Sequence, residues 1–210
     1  MSPTCRTLDA RGLPCPQPVI MARKALAEGG FDTLEITVDD AASRENLLKF
    51  GAYAKCLVEA VEEGGGLTRI CLTPQGSAPA PARTSAGPWL EGAVAGAPAE
   101  VVFLSADGIG QGDPELARLL MRGFIYTLTE AERVPRRLLL MNSGVKLAME
   151  GSESLANLQK LEARGVEVLA CGTCLEFFGL TSRLAVGGMT NMYEIAGHLM
   201  EGPTLSLGEG

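Results

Sequence analysis

Along the first third of the chain, Leu34, Ile36 and Val38 alternate with Thr33, Glu35, Thr37 and Asp39. That two-residue period belongs to a strand with one face buried and one face wet. Cys56 to Val61 and Leu67 to Leu72 carry two more strand patterns, joined through Gly64-Gly65-Gly66, and a short strand segment precedes Cys15. Helices fit at Pro16 to Glu28 and at Ser43 to Tyr53. The order β-α-β-α-β-β over a half-wet sheet predicts a two-layer α/β sandwich.

The pattern changes in the second half. Val101 to Leu104, Leu138 to Met141 and Val166 to Ala170 are nearly continuous apolar runs, the signature of strands covered on both faces. Leu116, Leu119, Leu120, Phe124 and Leu128 mark one helical stripe between them, and Leu155, Leu158 and Leu161 mark another. A last helix covers about Met192 to Met200, and Thr204 to Leu207 adds a strand. Strand and helix alternate as in a doubly wound, mainly parallel sheet. In such sheets ligands gather where strands end at their carboxyl edge, so Ser105 to Asp113, Asn142-Ser143-Gly144 and Cys171 to Cys174 are the segments to watch.

Between the two patterns, residues 74–98 hold five prolines, four glycines and many alanines, a composition that buries too little apolar surface to fold alone. The reading is therefore three segments: a domain at 1–73, a linker at 74–98 and a second domain at 99–210. As a flexible coil the linker would span roughly 25 to 30 Å.

Charge and cysteine content narrow the functions. The formal net charge is -7, with 8 basic and 10 acidic residues in 1–73 and 9 basic and 14 acidic in 98–210. A surface so short of cations argues against nucleic-acid binding, which draws on phosphate contacts. No stretch has the length and hydropathy of a signal peptide or a membrane span, which points to the cytoplasm. Thiols there are kept reduced, so the six cysteines read as chemistry and core residues rather than a disulfide framework.

Cys15 is the sharpest of them. It sits in Leu13-Pro14-Cys15-Pro16-Gln17-Pro18, where strand gives way to helix. Proline is tolerated in a first helical turn because the N–H it lacks has no intrahelical partner there. On that reading Pro16 is the first helical residue, Cys15 the N-cap, and the free N–H of Gln17 and the helix dipole favour the thiolate. With no second cysteine in the same turn, the sulfur suits carrying an atom as a persulfide better than closing its own disulfide.

Cys171-Gly172-Thr173-Cys174 follows a buried strand. The spacing allows redox chemistry, metal ligation or a nucleophile with a resolving partner. A zinc site would need two more ligands, yet the only histidine is His198 and no second Cys-x-x-Cys exists, so no metal and no cofactor is expected. Reversible disulfide formation stays open, and with it a redox-sensing or small-ligand-binding module. The leading reading is a second thiol site that accepts or relays what Cys15 carries. Asn142, Ser143, Gly144, Thr173 and Asn191 are the residues expected to line its substrate pocket. Asp107 to Glu115 is glycine-rich, but Asp113 as N-cap and Pro114 as first helical residue explain that turn without a ligand. Met189 and Met192 read as core filling.

These residues resemble known families. Leu13 to Pro18 looks like the Cys-Pro-x-Pro motif of the TusA/SirA-like sulfur-carrier domain, a β-α-β-α-β-β sandwich, over about residues 4–73. Residues 99–207, with Asn142 to Leu147, Cys171 to Leu175 and Thr190 to Tyr193, are similar to a DsrE-like domain, a flavodoxin-like module of sulfur-relay proteins. The pairing resembles the YedF family of sulfurtransferase-like selenium metabolism proteins. The resemblance implies Cys15 as the persulfide or perselenide position, with Cys171, Cys174 or both as its counterpart. It also implies a cysteine desulfurase-like donor, an acceptor protein and a homo-oligomer.

Overall fold

A computed structural model describes residues 4–14, 16–75 and 100–208. Residue 15 and nearly all of the expected linker lie outside the described residues. The chain divides into two compact units.

The first unit runs β1 (Cys5–Asp9), α1 (Gln17–Glu28), β2 (Thr33–Val38), α2 (Ala41–Tyr53), β3 (Cys56–Gly64) and β4 (Leu67–Pro74). Its sheet has the order β1-β2-β4-β3, with β1 parallel to β2 and the other neighbours antiparallel. Leu34, Ile36 and Val38 are fully buried with Leu47 of α2, Ala22 and Ala25 of α1, and Ile70 and Leu72 of β4. The alternation along β2 is thus the two-layer sandwich written in sequence, with Glu35 left on the open face. Gly65 and Gly66 both take positive φ, the requirement of the two-residue turn whose twist matches a hairpin. That turn lets β3 run on to Gly64, past the expected Val61. Helix α2 begins two residues before its expected start because Asp40 caps it, accepting the Ser43 N–H at 2.8 Å. Cys5 is exposed and Cys71 half-buried, so these two are not core residues, whereas Cys56 packs at the edge of the core. Cys71 stands on the open face opposite Glu35.

The second unit runs β5 (Val101–Leu104), α3 (Pro114–Glu130), β6 (Arg137–Leu140), a 3-10 segment (Asn142–Ala148), α4 (Leu155–Ala163), β7 (Glu167–Cys171), α5 (Gly172–Phe177), β8 (Gly188–Thr190), α6 (Met192–Glu201) and β9 (Thr204–Leu207). All five strands are parallel, in the order β8-β7-β6-β5-β9. This is the expected flavodoxin-like, doubly wound architecture, with the last strand taking the place beside β5. Right-handed crossovers put the connections from β5 through to β8 on one face, and the return through α6 to β9 on the other. Leu138, Leu139 and Leu140 are fully buried, as expected for a strand covered on both sides.

Helix α3 keeps part of its expected stripe, with Phe124 and Leu128 packed against the core, and departs from it at the leucines. Asp113 caps it, accepting the Glu115 and Leu116 N–H groups at 2.9 Å, and Pro114 opens it as expected. The inward face, however, is Ala117, Met121 and Ile125, whereas Leu116, Leu119 and Leu120 are 52%, 41% and 47% exposed. A Cβ on Gly108 would stand 2.8 Å from the Ala117 Cβ, and the Ile109 N–H donates to the Ala117 carbonyl at 3.0 Å, so the loop after β5 seats directly on the Ala117 face while the leucines lie to the flank.

Candidate functional site

The carboxyl edge of the parallel sheet gathers the loops that follow β5, β6 and β7. Two hydrogen bonds from main chain to side chain and one close main-chain approach bind them together. The Asp107 N–H donates to Ser143 Oγ at 3.1 Å. Gly144 lies against β5, where a Cβ would come within 2.3 Å of the Leu104 carbonyl oxygen; only glycine permits that approach. The Asn142 N–H donates to Cys174 Sγ at 3.1 Å. Asn142 takes φ 50°, a left-handed conformation that asparagine tolerates better than most residues.

Cys171 ends β7 and caps α5, and it is 1% exposed. Cys174 sits half-buried in α5, and both are free thiols. Burial pushes the Cys174 thiol above its ordinary range, and the neighbouring Cys171 side chain adds to the rise. The Asn142 N–H acts the other way, favouring negative charge on the sulfur. Cys174 is therefore the reachable thiol of the pair and the one with a dedicated donor, while Cys171 is shielded.

The five expected pocket residues do not form one pocket. Asn142 meets Cys174 through its N–H, while Ser143 and Gly144 hold this segment to Asp107 and Leu104. Thr173 and Asn191 instead line a cavity of about 580 Å³ with Gly172, Glu176, Met189 and Glu194. Asn191 spends its side chain as the cap of α6, accepting the Glu194 N–H at 3.0 Å. Thr190 Oγ1 donates to Glu194 Oε2 at 2.5 Å, and that bond holds the Glu194 carboxyl below the usual range. Glu176 and Glu194 were missed in the sequence, where they look like ordinary solvated helix positions; the threonine four residues before Glu194 was the available signal. Met189 and Met192 are exposed at this edge, which corrects their reading as core. A cavity of about 500 Å³ lies over the glycine-rich loop, lined by Asp107, Gly108, Gly110 and Gln111 among others.

In the first unit, Cys15 lies outside the described residues, but its neighbours are placed. The Gln17 N–H donates to the Pro14 carbonyl at 3.0 Å, and the Ile20 N–H to the Pro16 carbonyl at 3.1 Å. The N-cap of α1 is Pro16, and the helix starts at Gln17 with Pro18 second. Two expectations are corrected here: Pro16 is not the first helical residue, and the Gln17 N–H is not free. The prolines themselves explain the shift. Pro16 and Pro18 have no N–H to donate, and the Gln17 N–H is taken by the Pro14 carbonyl before the helix begins. The loop ahead is pinned by the Gly12 N–H on Asp39 Oδ1 at 2.9 Å, with Gly12 at φ 68°.

Among the described residues there is no group of three or more His, Cys, Asp or Glu that could hold a metal. None of their helices is long and apolar enough to cross a membrane.

Residues 6–73 match the family model of the sulfurtransferase TusA. The SirA-like protein from Desulfitobacterium hafniense is 38% identical over 32% of this chain and 93% of its own length, with a TM-score of 0.31. The ychN protein from E. coli is 22% identical over 52% of this chain and 99% of its own, at 0.39. A protein of unknown function from Methanobacterium thermoautotrophicum is 20% identical over the same shares, at 0.37.

Proposed function

The N-terminal domain belongs to the TusA/SirA-like family of sulfur carriers, and from that premise we propose that Cys15 carries a sulfane sulfur as a persulfide and passes it to an acceptor thiol. The observation that carries this reading is the family match across residues 6–73, which contains the Leu13 to Pro18 run. The backbone on either side supports it. The Gln17 N–H donates to the Pro14 carbonyl at 3.0 Å and α1 begins at Gln17, so the described neighbours of the motif are in keeping with a carrier cysteine beside a helix start.

In the second unit, read as DsrE-like, Cys174 is the acceptor thiol. Its support is the Asn142 N–H at 3.1 Å, together with the shielding of Cys171. Transfer is thiol exchange: the acceptor thiolate attacks the outer sulfur of the donor persulfide, and the donor cysteine leaves as a thiolate. The same thiols would hold selenium as a perselenide, which is where the YedF resemblance leads. A cysteine desulfurase-like donor and a protein acceptor complete the relay. The homo-oligomer implied by the same resemblance has Leu116, Leu119, Leu120 and Tyr193 to draw on, all exposed.

The test is to incubate the full chain with a cysteine desulfurase and radiolabelled cysteine, then to map the label by mass spectrometry. The label is expected on Cys15 and, second, on Cys174, and Cys15→Ala should remove it from both. A label that persists unchanged in Cys15→Ala overturns the carrier role. Repeating the incubation with selenocysteine separates selenium from sulfur.

A further inference from the structure

Two thiols three residues apart on one helical turn do more than a single acceptor needs. Cys171 is the cap and Cys174 the third residue of α5, so both side chains lie on one face. The Cys171 side chain meets the Cys174 thiol directly, so the two sulfurs are within reach of each other. Cys171 is 1% exposed, closed to any partner protein and open only to its neighbour.

We propose that Cys171 is a resolving thiol that discharges the atom held on Cys174 as free hydrogen sulfide. The inference rests on the reading of Cys174 as the acceptor. In the step, the Cys171 sulfur attacks the Cys174 sulfur of the persulfide. The bond from that sulfur to the outer sulfur breaks, and the outer sulfur leaves with the bonding electron pair as hydrosulfide. It takes up the proton that Cys171 gives up, so the products are a Cys171–Cys174 disulfide and one hydrogen sulfide. The outer sulfur is reduced and Cys171 is oxidised, and no outside oxidant is consumed. A dithiol reductant restores the pair for another round. The Asn142 N–H on Cys174 Sγ draws electron density from the attacked atom, and the shared helical turn supplies the high effective concentration of an intramolecular reaction. The second unit thus has a releasing activity besides relay.

A single peptide reads the outcome, because no lysine or arginine interrupts Gly165 to Arg183 and trypsin leaves both cysteines together. The full chain carrying Cys15→Ala is charged with inorganic polysulfide, desalted and digested without reductant, and sulfide is counted with a fluorogenic probe. The expected peptide is about 2 Da lighter than the dithiol form, with close to one sulfide released per chain. Adding Cys171→Ala should leave the peptide about 32 Da heavier and cut release at least tenfold. Cys171→Ser, which keeps the size of the side chain, should behave the same way and guards against a packing defect. If the chain with both cysteines keeps its extra sulfur and releases none, the resolving role is overturned while Cys174 stands as acceptor. Undiminished release after Cys171→Ala or Cys171→Ser also overturns it. If no peptide ever gains or expels sulfur, the acceptor reading fails and takes this inference with it.

Discussion

Replacing Gly144 with alanine tests how tightly the sulfur-bearing edge is built. The new Cβ would lie 2.3 Å from the Leu104 carbonyl oxygen and 3.1 Å from its carbon. Both are main-chain atoms of a buried strand, so nothing flexible can yield, and the 142–148 segment must retreat by about an ångström to reach ordinary contact. Overpacking of this kind costs about 1 to 3 kcal/mol, a large share of the 5 to 15 kcal/mol that typically holds a domain together. Gly197 is the control, because a Cβ there meets nothing within 4 Å and it sits inside α6. Alanine at that site should add about 0.5 to 1 kcal/mol through backbone entropy. Hydrogen exchange read by mass spectrometry on peptides covering residues 137–148 separates the two. With tenfold per 1.4 kcal/mol, Gly144→Ala should speed exchange there by about fivefold to over a hundredfold, and Gly197→Ala should not speed it at all. The same retreat pulls the Asn142 amide from Cys174, so alkylation of that thiol should change along with exchange. Exchange within twofold of the parent for Gly144→Ala would refute the close approach and the tightly held rim derived from it.

Other substitutions check the fold and the thiols. Met121→Ala, emptying a fully buried site on α3, should cost about 2 to 5 kcal/mol. Leu120→Ser, one residue away on the exposed flank, should stay within about 0.5 kcal/mol; urea titration ranks them, and equal costs would mean the helix is rolled as its leucine stripe suggests. Asp113→Ala removes a side chain that accepts two N–H groups and should cost about 1 kcal/mol, as should Asp40→Ala. Because burial raises the Cys174 pKa in the folded chain, its alkylation by iodoacetamide should reach half-maximal rate at a higher pH than an exposed thiol. The unfolded chain ionises that thiol first, so its contribution to stability is whole below about pH 8.5 and fades as pH climbs through the folded value. A midpoint below 8.5 would contradict it.

Much of the fold was written in periodicity. The β2 alternation placed its buried face residue by residue because a strand's side chains have only two directions. The apolar runs of the second half announced a sheet covered on both sides for the same reason. Helix α3 was harder: its apolar arc is wide enough to admit two rolls, and the one it takes goes with the close approach of Gly108 to Ala117, a tertiary fact no single-helix pattern contains. At the candidate site, the loops that the sequence assigned to strand ends do share one edge, since chain order in a parallel sheet dictates which loops meet there. It could not divide their residues between the Cys174 rim and the neighbouring cavity, because that depends on which way each loop turns. Nor could it foresee the Asn142 amide meeting Cys174, a contact between a main-chain group and a residue 32 positions away.

The partner of the Cys174 sulfur is a peptide N–H, not a lysine or a histidine. Such a donor does not titrate, so it faces the sulfur at any pH. Replacing one side chain with another also leaves the donor in place, and proline is the one residue that deletes it. A site of this kind tolerates wide drift in the identity of its surroundings, provided the chain keeps its path.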